Sequence, residues 1–121
     1  MVIEIPGLDV NKGLELCDGD QNIYLRFLRL YVSNMPKALE KMRNVSEETL
    51  HDYAISAHGA KGISDYVGAE EARKTALKLE MMAKDRNLAG VLAENTAFIK
   101  YAENLVDHIR SWLEKYEASG K

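Results

Sequence analysis

The chain has 121 residues, of which 46% are hydrophobic and 29% are charged, and its net charge is −3. These values are typical of one folded globular domain and argue against a disordered chain. A chain with an excess of acidic residues lacks the basic surface that nucleic-acid binding needs, so we expect no nucleic-acid partner.

The first two helices are predicted over residues 10–17 and 20–43. Asp20 is a candidate N-cap of the second helix, because its carboxylate can accept hydrogen bonds from the free backbone amides of the first turn. Pro36 cannot donate a backbone hydrogen bond, so we expect it to bend or restart this helix near residues 33–34. Apolar residues recur along the helix at three- and four-residue steps, as an amphipathic helix requires: Leu25, Leu28, Val32, Met35, Leu39 and Met42.

The third helix is predicted over residues 46–66, where Ser46-Glu47-Glu48-Thr49 is typical of a cap followed by an acidic first turn. At about 100° per residue, His58 lies more than about 90° from the middle of the inward stripe and is expected to face outward. Gly68 is expected to end the helix. The inward stripe consists of Leu50, Tyr53, Ala57, Ala60, Ser64 and Val67.

A fourth helix is predicted over residues 69–85, and a turn at Arg86-Asn87 separates it from a long fifth helix over residues 88–116. The fourth helix is expected to bury Ala72, Ala76, Leu79 and Ala83. The fifth helix is expected to bury Val91, Phe98, Ala102, Leu105, Ile109, Trp112 and Leu113.

The predicted elements give an all-α fold, since no segment has the β-branched runs or the hairpin turns typical of strands. Short connections between amphipathic helices favour antiparallel neighbours. We therefore expect a single domain over residues 1–121. Its predicted architecture is an antiparallel up-down four-helix bundle with a short additional N-terminal helix.

Three features bear on where the chain functions. The single cysteine, Cys17, cannot form an internal disulfide and fits a reducing compartment. No apolar run reaches the ~18 residues of a membrane span, and residues 1–7 lack the basic region that begins a secretory signal. We expect a cytoplasmic protein with no membrane partner.

The most informative stretch of the chain is AHGAKGISDYVGA, residues 57–69. His58 is followed by Lys61 three residues later and by Gly62 four residues later, so all three share one helix face. Neutral imidazole is a good nucleophile near neutral pH, and a neighbouring cation favours an anionic group on the ring. The bare backbone at Gly62 leaves space for a second protein. The pattern indicates a histidine that carries an anionic group and is approached closely by a partner.

This stretch resembles the phosphorylation motif of histidine-containing phosphotransfer (HPt) domains, whose pattern reads roughly A-H-x-L-K-G-S-S-x-x-x-G-A. It departs from the pattern at Ala60, where leucine is usual, and at Ile63, where serine is common. The matching positions are Ala57, His58, Lys61, Gly62, Ser64, Gly68 and Ala69.

The resemblance implies four antiparallel helices with a short helix capping one end, and a role as a phosphorelay carrier. His58 would accept a phosphoryl group from the receiver domain of a hybrid histidine kinase and pass it to the receiver of a response regulator. Lys61 would neutralise the phosphoryl oxygens, and Gly62 would admit the active-site loop of the partner. No cofactor is expected in this chain, because the Mg²⁺ used in the transfer belongs to the receiver.

Glu80 is the predicted partner of the second ring nitrogen of His58. If helices three and four form a hairpin that turns near residue 69, residues equidistant from that point lie at one height, and His58 and Glu80 are each eleven positions from it. The resemblance implies the same residue, since HPt-like domains often carry Glu or Gln after a leucine at this place, here Leu79. Glu80 is expected to fix the ring's tautomer and orientation; the alternative is a solvated surface glutamate.

Several alternatives stay open at the level of sequence. The chain has no Walker A loop and no kinase-type glycine-rich loop, so we expect no ATP site and no enzyme activity of its own. Three functions remain open for the chain: a phosphorelay carrier, the phosphoacceptor module of a chemotaxis-type histidine kinase, or a helical interaction module that is not phosphorylated. We expect a monomer, because docking on the phosphoacceptor histidine needs no dimer.

A metal site is not expected. Glu48-x-x-His51 resembles half of a di-iron Glu-x-x-His pair. No second pair exists, since Leu105 stands three residues before His108. His51 lies about 10 Å from His58, two turns away, which is too far for both to ligate one ion.

Overall fold

The computed structural model describes residues 2–119, and within this range every regular element is a helix. A single turn of 3-10 helix, Glu47–Thr49, precedes the third α-helix. The all-α prediction is confirmed for this part of the chain. In chain order the α-helices are α1 (Val10–Leu16), α2 (Gln21–Met42), α3 (Leu50–Val67), α4 (Glu70–Lys84) and α5 (Leu88–Ala118).

Each of the four long helices packs against two of the others. α2 and α4 both contact α3, and both also contact α5. The short α1 lies against α3 and α2. None of the helices within residues 2–119 has the length and apolar character needed to cross a membrane. The packed faces enclose one core, which includes the fully buried side chains of Leu28, Leu50, Leu79, Val91 and Ile109.

α2 begins at the predicted cap and continues through its proline. The Asp20 carboxylate accepts two backbone N–H groups of the first turn, at 2.9 and 3.3 Å. The helix does not restart near Pro36, because it runs on to Met42. An interior proline costs about 3 kcal/mol, whereas burial of a large apolar side chain contributes about 1.5–3 kcal/mol. Burial of Leu39 and Met42 in the turns after Pro36 therefore offsets its cost.

The buried face of α2 differs from its apolar pattern. Tyr24 and Tyr31 are buried, whereas Val32 is only partly buried. The Tyr24 hydroxyl donates to the Val67 carbonyl at 2.8 Å, and the Tyr31 hydroxyl lies 3.3 Å from the Ser64 hydroxyl. Burial raises the pKa of Tyr31 to about 12. Because buried hydroxyl groups need such partners, these two bonds hold α2 and α3 together in one register.

A second buried polar contact joins three helices. The Tyr53 hydroxyl on α3 donates to the side-chain oxygen of Asn95 on α5 at 2.7 Å. The side-chain nitrogen of Asn95 donates to the carbonyl of Met42 at 2.8 Å. Since Met42 is the last residue of α2, Asn95 satisfies a carbonyl that lies beyond the helix's own hydrogen bonds.

The predicted inward face of α3 is confirmed: all six residues of the stripe are buried in the core. Its beginning differs from the predicted residue 46. The chain first forms the 3-10 turn and becomes α-helical at Leu50. The hydroxyl of Thr49 accepts the backbone N–H of Ser46 at 2.8 Å, and this side-chain bond stabilises the tighter turn before the α-helix.

α4 and α5 follow their predicted patterns with small differences. The four predicted inward residues of α4 are buried, and Glu80 is buried beside them. Asn87 caps α5, since its side chain accepts the N–H of Gly90 at 2.9 Å. α5 ends at Ala118, two residues beyond the prediction. Trp112 is only partly buried, whereas the other predicted inward residues of α5 are buried.

Gly68 ends α3 in the left-handed conformation, with a φ of 77°. Its carbonyl accepts the N–H of Asp9 at 2.8 Å, so the segment before α1 packs against the turn between α3 and α4. A Cβ atom at residue 68 would collide with the backbone of Asp9. The hairpin of α3 and α4 therefore turns at a position that requires glycine.

Gly68→Ala is expected to lower the free energy of unfolding by about 2–4 kcal/mol, because left-handed alanine and the collision each cost about 1–2 kcal/mol. Urea unfolding followed by circular dichroism measures the loss. Gly19→Ala is the matched control, since Gly19 has the same φ of 77° but an added Cβ would have no atom within 4 Å apart from its chain neighbours. It is expected to lose only about 1 kcal/mol. Equal losses at both positions would contradict the proposed collision.

Candidate functional site

The structure brings His58, Lys61 and Glu80 together at the α3–α4 interface. The His58 side chain faces outward, as predicted, and is 65% exposed. Lys61 lies one turn further along α3 and is 28% exposed. Glu80 projects from α4 and is almost completely buried, with 4% of its side chain exposed. The site is therefore a buried carboxylate covered by an exposed imidazole and a half-buried ammonium group.

The predicted contact between His58 and Glu80 is present. Nδ1 of His58 lies 3.0 Å from Oε2 of Glu80. An ionised carboxylate can only accept a hydrogen bond, so Nδ1 must carry the proton and donate it. The neutral ring then has its lone pair on Nε2. Within residues 2–119, Nε2 of His58 has no protein hydrogen-bond partner, and the side chain that carries it is exposed.

Two lysines neutralise the charge of Glu80. Lys84 Nζ lies 2.9 Å from Oε2, and Lys61 Nζ lies 3.8 Å from Oε1. Oε1 is buried and has no hydrogen-bond partner. Burial raises the pKa of the Glu80 carboxyl, but the hydrogen bonds from Lys84 and His58 outweigh burial, and its pKa lies below the ordinary value. Glu80 is therefore ionised at neutral pH, as the tautomer of His58 requires.

Lys84 is a residue of the site that the sequence analysis did not identify. It follows Glu80 by four positions on α4, the spacing at which a glutamate and a lysine meet on a helix surface. That spacing is visible in the sequence. The sequence does not show that this pair matters. Its effect depends on the burial of Glu80, and surface pairs at this spacing contribute little on their own.

The opposite flank of His58 is apolar and open. At about 100° per residue, Gly62, Ile55 and Tyr66 lie on one side of His58 and Lys61 lies on the other. A Cβ atom at Gly62 would have no atom within 4 Å apart from its chain neighbours and its own helix backbone. Ile55 is 60% exposed and Tyr66 is 52% exposed, and the Tyr66 ring stacks on Phe27 of α2 at 5.3 Å. The backbone at Gly62 is therefore accessible from outside, beside apolar side chains.

The residues weighed as metal ligands do not form a cluster. Within residues 2–119, no group of three or more histidine, cysteine, aspartate or glutamate side chains is placed to hold a metal ion. Glu48 and His51 both lie at the exposed beginning of α3 and the turn before it.

The site therefore combines the exposed imidazole of His58, whose ring is held by Glu80, with the ammonium groups of Lys61 and Lys84 beside that carboxylate. Such a site can accept an anionic group, because the imidazole side chain is 65% exposed. The sequence matches no protein-family model, and no similar protein is found among the curated proteins or among the solved structures.

Proposed function

We propose that the chain is a phosphorelay carrier, in which His58 accepts a phosphoryl group from an aspartyl phosphate of one receiver domain and passes it to an aspartate of another. The observation that carries this proposal is the exposed imidazole of His58, held through Nδ1 by the buried carboxylate of Glu80. That contact leaves the lone pair on Nε2, where an incoming phosphoryl group can reach it.

The transfer needs no reactant other than the two proteins. The lone pair of Nε2 attacks phosphorus, a nitrogen–phosphorus bond forms, and the phosphorus–oxygen bond to the aspartate breaks, leaving that aspartate as a carboxylate. The ring becomes cationic while Nδ1 keeps its proton, and the ionised Glu80 stabilises this positive charge. In the second step a carboxylate of the accepting receiver attacks phosphorus, and neutral imidazole leaves.

The other site residues would act on the phosphoryl group and on the partner. Lys61 can turn its flexible side chain from Glu80 to the phosphoryl oxygens and reduce their negative charge. Gly62 leaves space for the active-site loop of the receiver. The required Mg²⁺ is supplied by the receiver, and the carrier works as a monomer in the cytoplasm, where such receivers are found.

The proposed architecture is an antiparallel up-down four-helix bundle, with α1 as the additional N-terminal helix. The contacts between α2 and α3 support it: Tyr24 meets Val67, whereas the later Tyr31 meets the earlier Ser64. The position along one helix rises as the position along the other falls, which is the order expected of antiparallel helices. Connections of a few residues between the following helices favour the same arrangement.

The proposal is tested by incubating the purified chain with receiver domains that have been phosphorylated with acetyl phosphate. A carrier gains phosphate that is stable to alkali and labile to acid, and it delivers that phosphate to a second receiver. Phosphate gained only from an ATP-bound kinase domain would instead identify the phosphoacceptor module of a chemotaxis-type kinase. If neither donor phosphorylates the chain, it is a helical interaction module.

Lys61→Ala is expected to slow phosphoryl transfer by about tenfold to a hundredfold and to weaken receiver binding much less. The lysine stabilises charge that is greatest in the transition state, so its loss acts on the rate of the chemical step. Single-turnover transfer and receiver titration measure the two effects. Lys78→Ala is the control, because Lys78 lies on α4 and pairs with Glu94 away from the site. Unchanged single-turnover rates would make Lys61 an ordinary surface lysine.

A further inference from the structure

Lys84 and His58 donate to the same oxygen of Glu80. Lys84 Nζ is 2.9 Å from Oε2, and Nδ1 of His58 is 3.0 Å from that atom. The other oxygen of Glu80 is buried without a hydrogen-bond partner, and the nearest cation to it is Lys61, at 3.8 Å. Lys84 is thus the only ammonium group within hydrogen-bond distance of this carboxylate among the described residues.

A carboxylate that is almost completely buried must be compensated by positive charge. Without Lys84, the pair formed by Glu80 and His58 would bind an additional proton more readily. If the proton binds to the ring, His58 becomes imidazolium and Nε2 is protonated. If the proton binds to Glu80, the carboxylic acid donates to Nδ1 and the proton of the neutral ring moves to Nε2. Both routes remove the lone pair that the phosphoryl transfer needs.

We propose that Lys84 is a positioning residue that keeps Nε2 of His58 unprotonated at neutral pH, because its ammonium group supplies the charge that Glu80 would otherwise gain as a proton. This assignment rests on the proposed function in so far as Nε2 is the attacking atom. The protonation of Nε2 is nevertheless a property of the resting protein, and it can be measured without any phosphoryl donor.

The other charged groups near His58 do not replace Lys84. On α3, Lys61 is farther from Glu80, and Asp65 is paired at 3.9 Å with Arg73 of α4. α2 also packs against α3, and within residues 2–119 no ion pair or hydrogen bond joins His58 to α2 or to α5. The charge balance of the ring is therefore set by Glu80, Lys84 and Lys61.

The test compares three single variants with the wild type. Lys84→Met removes the ammonium group, and Lys84→Arg keeps the positive charge. Lys78→Met is the matched control, since Lys78 lies on the same helix, is 60% exposed against 64% for Lys84, and pairs with Glu94. The ¹⁵N chemical shift of Nε2, read from ring-nitrogen NMR spectra at neutral pH, distinguishes the protonated from the unprotonated atom.

Lys84→Met is expected to raise the fraction of rings protonated at Nε2 by about twofold to fivefold, as the loss of one exposed charge pair allows. Lys84→Arg and Lys78→Met are expected to match the wild type. Lys78→Met is expected to melt at the wild-type temperature and Lys84→Met at a lower one, because Lys84→Met takes the nearest ammonium group from the buried carboxylate of Glu80. Unchanged Nε2 protonation in Lys84→Met, or Nε2 already protonated in most wild-type rings, would overturn the assignment.

The outcomes separate this inference from the proposed function. If no donor phosphorylates the wild type but Lys84→Met still protonates Nε2, the phosphorelay function fails and the role of Lys84 stands. If receivers phosphorylate the wild type and Lys84→Met leaves Nε2 unchanged, the function stands and the role of Lys84 fails. When both hold, Lys84→Met accepts phosphoryl groups more slowly, in proportion to its loss of unprotonated Nε2.

Discussion

His58→Gln is expected to abolish phosphorylation of the chain by receiver domains while leaving its helicity and melting temperature nearly unchanged. The reason is that His58 supplies the attacking nitrogen in the proposed transfer but contributes little to the core, since its side chain is 65% exposed. Glutamine also retains an N–H group that can donate to Glu80, so the buried carboxylate keeps a neutral donor. Radioactive phosphate transfer and circular dichroism measure the two properties on one preparation.

His51→Gln is the matched control for this substitution. His51 lies on the same helix and is exposed, so the two variants remove the same chemical group from similar surroundings. His51→Gln is expected to accept phosphate at the wild-type rate, because among the described residues His51 has no counterpart of the Glu80 contact. Phosphate that remains on His58→Gln would show that another residue is the acceptor. If His51→Gln then fails to accept phosphate, that residue is His51.

Gly62→Gln is expected to reduce receiver-dependent transfer by about a hundredfold, although the folded protein becomes more stable. Replacing a glycine inside a helix gains up to about 1 kcal/mol of helix propensity, and a Cβ atom added at residue 62 would have no atom within 4 Å apart from its chain neighbours and its own helix backbone. The same open space lies one turn from His58, where a long side chain would collide with the receiver's loops. The free energy of unfolding is therefore expected to rise while the rate of receiver-dependent transfer falls.

Gly62→Ala separates the two effects of this substitution. It gains at least as much helix propensity but adds only a methyl group, so it is expected to stabilise the fold while transfer stays close to the wild-type rate. Small phosphodonors that need no protein docking provide a second comparison, and they are expected to phosphorylate His58 in both variants. Normal receiver-dependent transfer by a stabilised Gly62→Gln would contradict the close approach of a partner at this position.

The helices could be predicted from the sequence because their signals are local. The Asp20 cap and the Gly68 stop depend on neighbouring backbone groups, and the inward stripe of α3 follows from its period alone. Pro36 was harder to predict, because the cost of a proline is local whereas the burial that offsets it is tertiary. The buried hydroxyl groups of Tyr24 and Tyr31 were missed for a similar reason, since their partners lie on α3.

The site was predictable to the extent that it depends on spacing. The intervals between His58, Lys61 and Gly62 fix their relative directions on one helix, and the hairpin register placed Glu80 opposite His58. The near-complete burial of Glu80 was not predictable, because it requires the side chains of several helices. Lys84 belongs to the site only because Glu80 is buried, so the four-residue spacing between Glu80 and Lys84 does not by itself identify it. The roles of these residues in transfer remain predictions.

The hairpin turn at Gly68 also affects the order in which the molecule can fold. His58 and Glu80 are separated by 22 positions along the chain, whereas the hydrogen bonds from α2 to α3 span 33 and 43 positions. Closing a loop costs entropy that grows with its length, by about 0.6 kcal/mol for each doubling. The contact between His58 and Glu80 therefore has a shorter sequence separation than the contacts to α2, and contacts of short separation form more rapidly. His58 can meet Glu80 in an early α3–α4 hairpin, before α2 and α5 complete the core.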